Sequence, residues 1–446
     1  MQAFKAYDIR GIYDKDFNKD DVYKIGYFLP ELLKAQKILV GYDARISSEE
    51  IFTALTAGIT DRGADVYNMG LSTTPMVYFA TARYGFPASV QITASHNSKE
   101  YNGLKISKEK ALPVGYQSGL SELEEMINNK KINKSNFDKG KIYDRDFKED
   151  YITFQRDFLS DISNLDITID CSNGMAALVI KEILGNKHHY IYDNIDCTFP
   201  NHEPNPLVEA NVKDLKNEVI NNKSDLGIIF DGDGDRVMFI DEKGNFISPD
   251  LIIALLADHF LNGENAKVLH DIRTSRAVTE YIIDNDGKPY MWKVGHAYAK
   301  RKLREIDGIF GGELAGHYYF RDFFYCDSGI MAAIITLNVI ANYKKQNKKI
   351  SEVINSIAKY SFSGEINFEI KEKKKAMEKL KDYFHQEQNL KKIYDFDGYR
   401  LEFKDWWFNV RPSNTEPYLR LVVETKNDEM LHEKIEVIRQ ILKEFT

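Results

Sequence analysis

The chain has 446 residues, 43% of them hydrophobic and 29% charged, and carries a net charge of −8. That length calls for roughly two to four domains. The acidic balance argues against a nucleic-acid coat or a membrane-surface protein, while a local basic cleft can still take a small anion. Cys171, Cys197 and Cys326 show no paired spacing, so no zinc pattern or disulfide framework is expected, which suits a reducing compartment.

The opening MQAFKAYDIRG lacks an apolar h-region, so no signal peptide is expected. The longest apolar-rich run, Gly329–Ala341, contains Asn338 and falls short of the ~20 residues a span needs. A cytoplasmic location follows. From residue 37 the pattern alternates: strand KILVGYD, helix SSEEIFTALTAGITDRGA with Ser47 and Glu50 spaced as a capping box, strand DVYNMG, helix TPMVYFATARYG, strand ASVQIT. This is βαβαβ, the mark of a mainly parallel sheet. Residues 109–150 read as a helix plus a connecting segment.

The pattern restarts with strand LDITIDCSNG, helix MAALVIKEIL, strand HHYIYDN, helix VKDLKNEVINN and strands DLGIIFDGDGDR and VMFIDEKG. It restarts again near residue 248, from helix PDLIIALLADHFL to helix SGIMAAIITLNVIANYKK. Three α/β units of similar size suggest a weak internal repeat. After residue 358 the character changes to a smaller α+β unit, in which the KEKKK run at 371–375 reads as a solvated helix face.

The polar loops between these elements carry the chemistry. In FDGDGDR (230–236), glycines alternate with Asp231, Asp233 and Asp235 and let the backbone turn tightly, so three carboxylates can face one point. Carboxylates that close repel unless a cation lies among them, and oxygen-only ligands favour Mg²⁺ or Ca²⁺. An acidic hairpin turn is the plain alternative. An EF-hand is rejected, because Arg236 stands where that loop needs glycine and apolar strands flank it. Arg236 can pair with the acids or hold an anion beside the metal, as a phosphoryl group in transfer requires.

TASHN (93–97) is then a candidate nucleophile or phosphate-carrying loop around Ser95, with Lys105 close behind; on its own it also fits a capped turn. RPSNTEP (411–417) packs Arg411, Ser413, Asn414 and Thr415 into a candidate anion nest followed by Arg420, or a polar hairpin loop. In GGELAGH (311–317), Glu313 can accept hydrogen bonds from hydroxyls and His317 can move protons; a tight turn with a surface histidine is the alternative. KVGH (293–296) offers Lys293 and His296. A serine, a hard metal, an anion nest and a hydroxyl-binding acid together are equipment for moving phosphate on a sugar.

Over essentially the whole chain, FKAYDIRG, TASHN with YNGLKI, FDGDGDR, KVGH, GGELAGH and RPSNTEP stand in the order that resembles the α-D-phosphohexomutases. The opening and GGELAGHYYFRDFFYCDSG look most like the bacterial phosphomannomutases of that family. The resemblance implies a heart-shaped architecture of three topologically similar α/β domains plus a smaller C-terminal α+β domain. The expected spans are 1–147 with the phosphoserine loop, 148–246 with the metal loop, 247–357 with the sugar loop and 358–446 with the phosphate loop.

It further implies that Ser95 carries a phosphoryl group, and that Asp231, Asp233 and Asp235 hold Mg²⁺ with a phosphoserine oxygen. Arg10, His96, Asn97, Lys105 and Arg236 would surround the transferring phosphoryl, with Arg273 a basic residue near the site. Glu313 and His296 would contact sugar, and His317 would be the acid/base. Arg411, Ser413, Asn414, Thr415 and Arg420 would hold the substrate's non-reacting phosphate. The family's usual sugar loop, Glu-x-Ser-Gly, is here Glu313-Leu314-Ala315-Gly316, and Ala315 supplies no hydroxyl.

The implied activity is mannose 6-phosphate to mannose 1-phosphate interconversion, with Mg²⁺ and a hexose 1,6-bisphosphate activator. The partner is a hexose phosphate, with no nucleic acid or membrane, in a monomer or homodimer. A dual phosphomannomutase/phosphoglucomutase and a phosphoglucosamine mutase are alternatives, ahead of a metal-dependent sugar phosphatase or a non-catalytic binder. A hinge near residue 358 is expected to open the cleft.

Overall fold

The computed structural model describes residues 2–133, 138–261, 265–387, 389–413 and 418–445. They form four sheets, one per stretch of chain. In the first, the parallel strands Lys37–Tyr42, Asp65–Leu71 and Ala88–Ile92 are followed by the antiparallel Tyr101–Lys108. The second repeats this with Ile167–Asp170, His189–Ile191, Leu226–Phe230 and antiparallel Val237–Asp241. The third does so with Lys267–Asp271, Lys288–Trp292, Phe310–Gly312 and antiparallel Tyr318–Phe320.

In all three sheets the antiparallel strand lies beside the third strand, then the first, then the second. The internal repeat is therefore one topology used three times. The hairpin between the third and fourth strand of that topology is residues 93–100 in the first sheet, 231–236 in the second and 313–317 in the third. The three loops singled out in the sequence are the same connection in three copies.

The fourth sheet is antiparallel, in the order Ser361–Glu369, Tyr418–Thr425, Trp406–Pro412, Tyr399–Phe403, Leu390–Tyr394. Helices Lys373–His385 and Asp428–Leu442 cover it, burying Leu380, Phe384 and Ile438 against Leu401, Phe408 and Leu421. This core is its own, whereas the helices of the second and third sheets share one continuous core that also takes in Met76 and Phe79 of helix Thr74–Arg83. The fourth unit meets the third through Leu314 packed with Trp407 and Val422. Polar contacts add to this: Arg400, stacked 3.6 Å over the Trp407 ring, donates Nη1 to Ile272 O and Thr274 O.

Several local expectations change. The Ser47–Glu50 capping box does not form: Ser47 is helical (φ −85, ψ −5), and its Oγ accepts from Asn102 Nδ2 at 2.9 Å. MAALVIKEIL is not one helix but a tight turn Met175–Leu178 and a short helix Ile180–Leu184. Met175 N, free at the start of the turn, donates to Gly232 O at 2.9 Å and docks the segment on the carboxylate loop. The segment 109–150 supplies helix Leu120–Asn129 and, at the edge of the first sheet, strand Ile142–Asp144. Among the described residues no helix is long and apolar enough to cross a membrane.

Candidate active site

Ser95 sits just past the end of its strand in the left-handed region (φ 53), its amide bound to Thr93 Oγ1 at 2.9 Å. The turn is fixed from behind by Arg45, which pairs with Asp43 and donates to four carbonyls, those of Ser95, Asn97, Ser98 and Tyr101, at 2.7–2.9 Å. Ser95 Oγ donates to Asp231 Oδ2 at 2.7 Å. The serine loop and the carboxylate loop therefore meet, although 136 residues separate them.

The close approach depends on glycine. A Cβ on Gly232 would lie 2.4 Å from the Ser95 carbonyl oxygen, and Gly234 turns at φ +74. Gly234 N and Arg236 N donate to Asp231 Oδ1 at 3.1 and 3.2 Å. Lys105 Nζ lies 2.6 Å from Asp233 Oδ2 and 2.5 Å from Asp235 Oδ2. Thr74, at the start of its helix, donates its hydroxyl to Asp233 Oδ2.

Asp231, Asp233 and Asp235 are fully buried, and their ligand oxygens lie within 4.8 Å of one another. Asp233 Oδ1 and Asp235 Oδ1 have no hydrogen-bond partner among the described residues. Burial, then Asp235 and Asp233, push the Asp231 carboxyl well above the ordinary range. The residues fit a hard divalent cation: all-oxygen donors, buried, with orphaned lone pairs and more negative charge than Lys105 alone offsets. A second grouping, Asp235, His317 and Asp327, is also within metal-binding distance. There Lys300 Nζ already lies 2.7 Å from Asp327 Oδ1, and His317 Nδ1 lies 2.8 Å from Asp327 Oδ2, so it reads as a buried polar network around Asp327.

Around this centre, Arg10 Nη1 donates to Asn97 Oδ1 at 3.0 Å, and its Nη2 pairs with Asp8. Arg236 Nε lies 3.7 Å from Asp231 Oδ2. Burial, with Arg236, Arg10 and Lys105 nearby, drives the His96 imidazole well below its usual pKa, so it is neutral at pH 7. The Arg236 backbone pairs antiparallel with that of His317, and Val237 N donates to Gly316 O at 3.2 Å, which docks the third loop on the second.

In that third loop, Glu313 is 2% exposed; its two oxygens accept from Gly295 N and Tyr319 OH, each at 2.5 Å. Burial raises its pKa, and His317 opposes this. His296 begins helix His296–Glu305, its ring 5.7 Å from that of His317; burial and Lys300 hold it neutral. Arg411 and Arg420 face one another across paired strands. Ser413 N donates to Tyr418 O at 2.9 Å, while Asn414 and Thr415 lie outside the described residues. Arg273 is bound by Asp271 through Nε (3.1 Å) and Nη2 (2.7 Å).

Most of the residues read from sequence gather in two groups, with Glu313 and His296 outside them, the His296 ring 5.7 Å from that of His317. Ser95, His96, Asn97, Lys105, Arg10, the three aspartates, Arg236 and His317 form one; Arg273, Arg411 and Arg420 form the other. Sequence reading missed Arg45, Thr74, Asp271, Lys300, Asp327 and Glu365. The only local signal for any of them is spacing, Asp43-x-Arg45 and Asp271-x-Arg273, where an acid two residues before an arginine on a strand-ending loop can grip it.

Models of the phosphoglucomutase/phosphomannomutase family match four consecutive stretches: alpha/beta/alpha domain I over residues 1–134, domain II over 149–244, domain III over 248–360 and the C-terminal domain over 365–440. The chain is 36% identical to a phosphomannomutase of Methanocaldococcus jannaschii, over 99% of this chain and 98% of that one. It is 35% identical to a phosphomannomutase of Escherichia coli, over 97% of each. The crystal structure of a phosphoglucomutase/phosphomannomutase family protein from Burkholderia thailandensis superposes with a TM-score of 0.87 at 27% identity, covering 99% of this chain and 97% of that one.

Proposed function

The chain belongs to the phosphoglucomutase/phosphomannomutase family, and from that premise we propose that it is a phosphomannomutase. It interconverts mannose 6-phosphate and mannose 1-phosphate through phospho-Ser95 and a hexose 1,6-bisphosphate. The observation that carries this reading is Ser95 Oγ held 2.7 Å from Asp231 in a buried three-carboxylate loop whose other two members grip Lys105.

In the first half-reaction the bond between Ser95 Oγ and phosphorus breaks as a sugar hydroxyl oxygen bonds to that phosphorus. The hydroxyl proton passes to a base, a role we give to His317, which Asp327 orients through Nδ1. Lys105, Arg10 and Arg236 stabilise the charge spread over the phosphoryl oxygens, and neutral His96 and Asn97 donate hydrogen bonds to them. Asp231, Asp233, Asp235 and a phosphoserine oxygen would hold Mg²⁺, which neutralises charge on the transferring group. Glu313 and His296 contact the sugar. Arg411, Ser413, Asn414, Thr415 and Arg420, with Arg273 close by, hold the other phosphate. The bisphosphate then turns over and returns its second phosphate to Ser95, which also explains why a hexose 1,6-bisphosphate would activate.

The matched stretches support domains at 1–147, 148–246, 247–357 and 358–446. The separate core of the last one supports a hinge near residue 358. We place the enzyme in the cytoplasm, as a monomer or homodimer. The test is turnover with Mg²⁺ and a trace of hexose 1,6-bisphosphate, comparing mannose 1-phosphate with glucose 1-phosphate. A strong preference for mannose supports the assignment, equal rates make it a dual mutase, and no turnover of either overturns it.

A further inference from the structure

Glu365 lies on strand Ser361–Glu369, paired with Val422 of the adjacent strand. Its carboxylate sits among three guanidiniums: Oε2 is 3.0 Å from Arg273 Nη1 and 3.7 Å from Arg411 Nη2, and Oε1 is 2.9 Å from Arg420 Nη1. Arg273 comes from the third sheet's unit and the other two from the fourth, so this one acid ties both sides of the boundary. Asp271 already takes the remaining face of Arg273. Burial opposes charge on Glu365, yet Arg273, then Arg420 and Arg411, hold its carboxyl below the ordinary range, so it is ionised at neutral pH.

The charge count decides what this does. Among the described residues Asp271 and Glu365 contact these guanidiniums and Asp397 acts on Arg411, so Glu365 takes one unit from the positive charge left for an arriving phosphate dianion. Without Glu365 that positive charge would be one unit larger. Two carboxylate oxygens spread over several guanidinium forks also imitate a phosphate's own hydrogen bonding.

We propose that Glu365 is an affinity-setting residue: an internal anion that competes with the substrate's non-reacting phosphate and keeps its hold weak enough to be released between half-reactions. This rests on the mutase reading above, in which each phosphate must leave the arginine cluster once per cycle. Binding substrate, intermediate and transition state more tightly by the same amount would lower KM without speeding chemistry, and slow release would then limit turnover.

The experiment compares wild type, Glu365→Gln and Glu365→Asp by calorimetric titration with inorganic phosphate and with mannose 6-phosphate, and by steady-state kinetics. Glu365→Gln is expected to bind both ligands about tenfold more tightly, the effect of removing one partly screened charge, and to show lower KM together with lower kcat. Glu365→Asp keeps the charge and is expected to stay within about threefold of wild type. Unchanged or weaker binding by Glu365→Gln overturns the proposal, making Glu365 only a brace for the arginines. Should Glu365→Gln fail to fold, a Glu365→Asp variant that binds phosphate more than tenfold more weakly overturns it equally. Phosphate binding without wild-type turnover would instead overturn the mutase reading, leaving the competition at Glu365 measurable in its own right.

Discussion

The two ends of the site are built with opposite surpluses. At the Ser95 end, three buried carboxylates outnumber Lys105, which bonds two of them, and Arg236, which lies 3.7 Å from the third, and two of their oxygens lack hydrogen-bond partners among the described residues. At the other end three arginines surround one glutamate. The first surplus is of acceptors and calls for a cation; the second is of donors and calls for an anion. On the proposed reading, a molecule with a phosphate at each end would meet a centre that a cation would complete and a nest supplied by arginine. The difference teaches that chemistry is concentrated where negative charge is crowded, and that grip is concentrated where positive charge is.

The sharpest way to break this contrast is Ser95→Ala. It should lower kcat by at least ~10⁴-fold, as loss of a covalent nucleophile does, while phosphate binding measured by calorimetry stays within about twofold. Weakened binding of similar size would mean that the ends are not separate. Next, Lys105→Met leaves the crowded carboxylates uncompensated and should cost about 3–5 kcal/mol in urea unfolding without metal. Mg²⁺ should restore much of that loss, and a midpoint indifferent to Mg²⁺ would count against a cation site there.

At the arginine end, Arg411→Ala removes charge-assisted hydrogen bonds and should raise KM for mannose 1-phosphate roughly 10- to 100-fold, with a much smaller change in kcat. An equal fall in kcat alone would move Arg411 into the chemistry. The smallest effect is in acid stability. Glu365 has a lowered pKa in the fold, so its contribution is present above its unfolded pKa of about 4.3 and lost as pH falls through the folded value. Wild type should therefore lose stability on the acid side of that pH more steeply than Glu365→Gln does in parallel thermal melts.

Sequence alone carried the strand-ending loops well, because alternating glycines and aspartates at 230–236 and the run at 93–97 are local statements about turn and charge. It also located the three restarts, since apolar period and turn residues repeat within each. What it did not carry were contacts between distant segments. Arg45 lies 50 residues before the serine whose carbonyl it holds. Thr74 lies 159 residues before the aspartate it meets, and Glu365 lies 92 residues after Arg273. Each looks like an ordinary surface or helix-cap residue until tertiary packing assigns it a partner. The break in the helix at 175–184 was not legible either, since apolar spacing alone does not separate a tight turn from a helix.

The loops that carry Ser95, the three aspartates and Glu313 occupy one connection in three copies of one topology. Each is a short tip on a stiff two-strand stem, so a domain and its tip turn as a single lever. Because the three loops touch one another and their units share one core, a shift in one unit is passed to the others. Substitutions far out on a domain can therefore alter the alignment of the whole centre rather than of one loop alone.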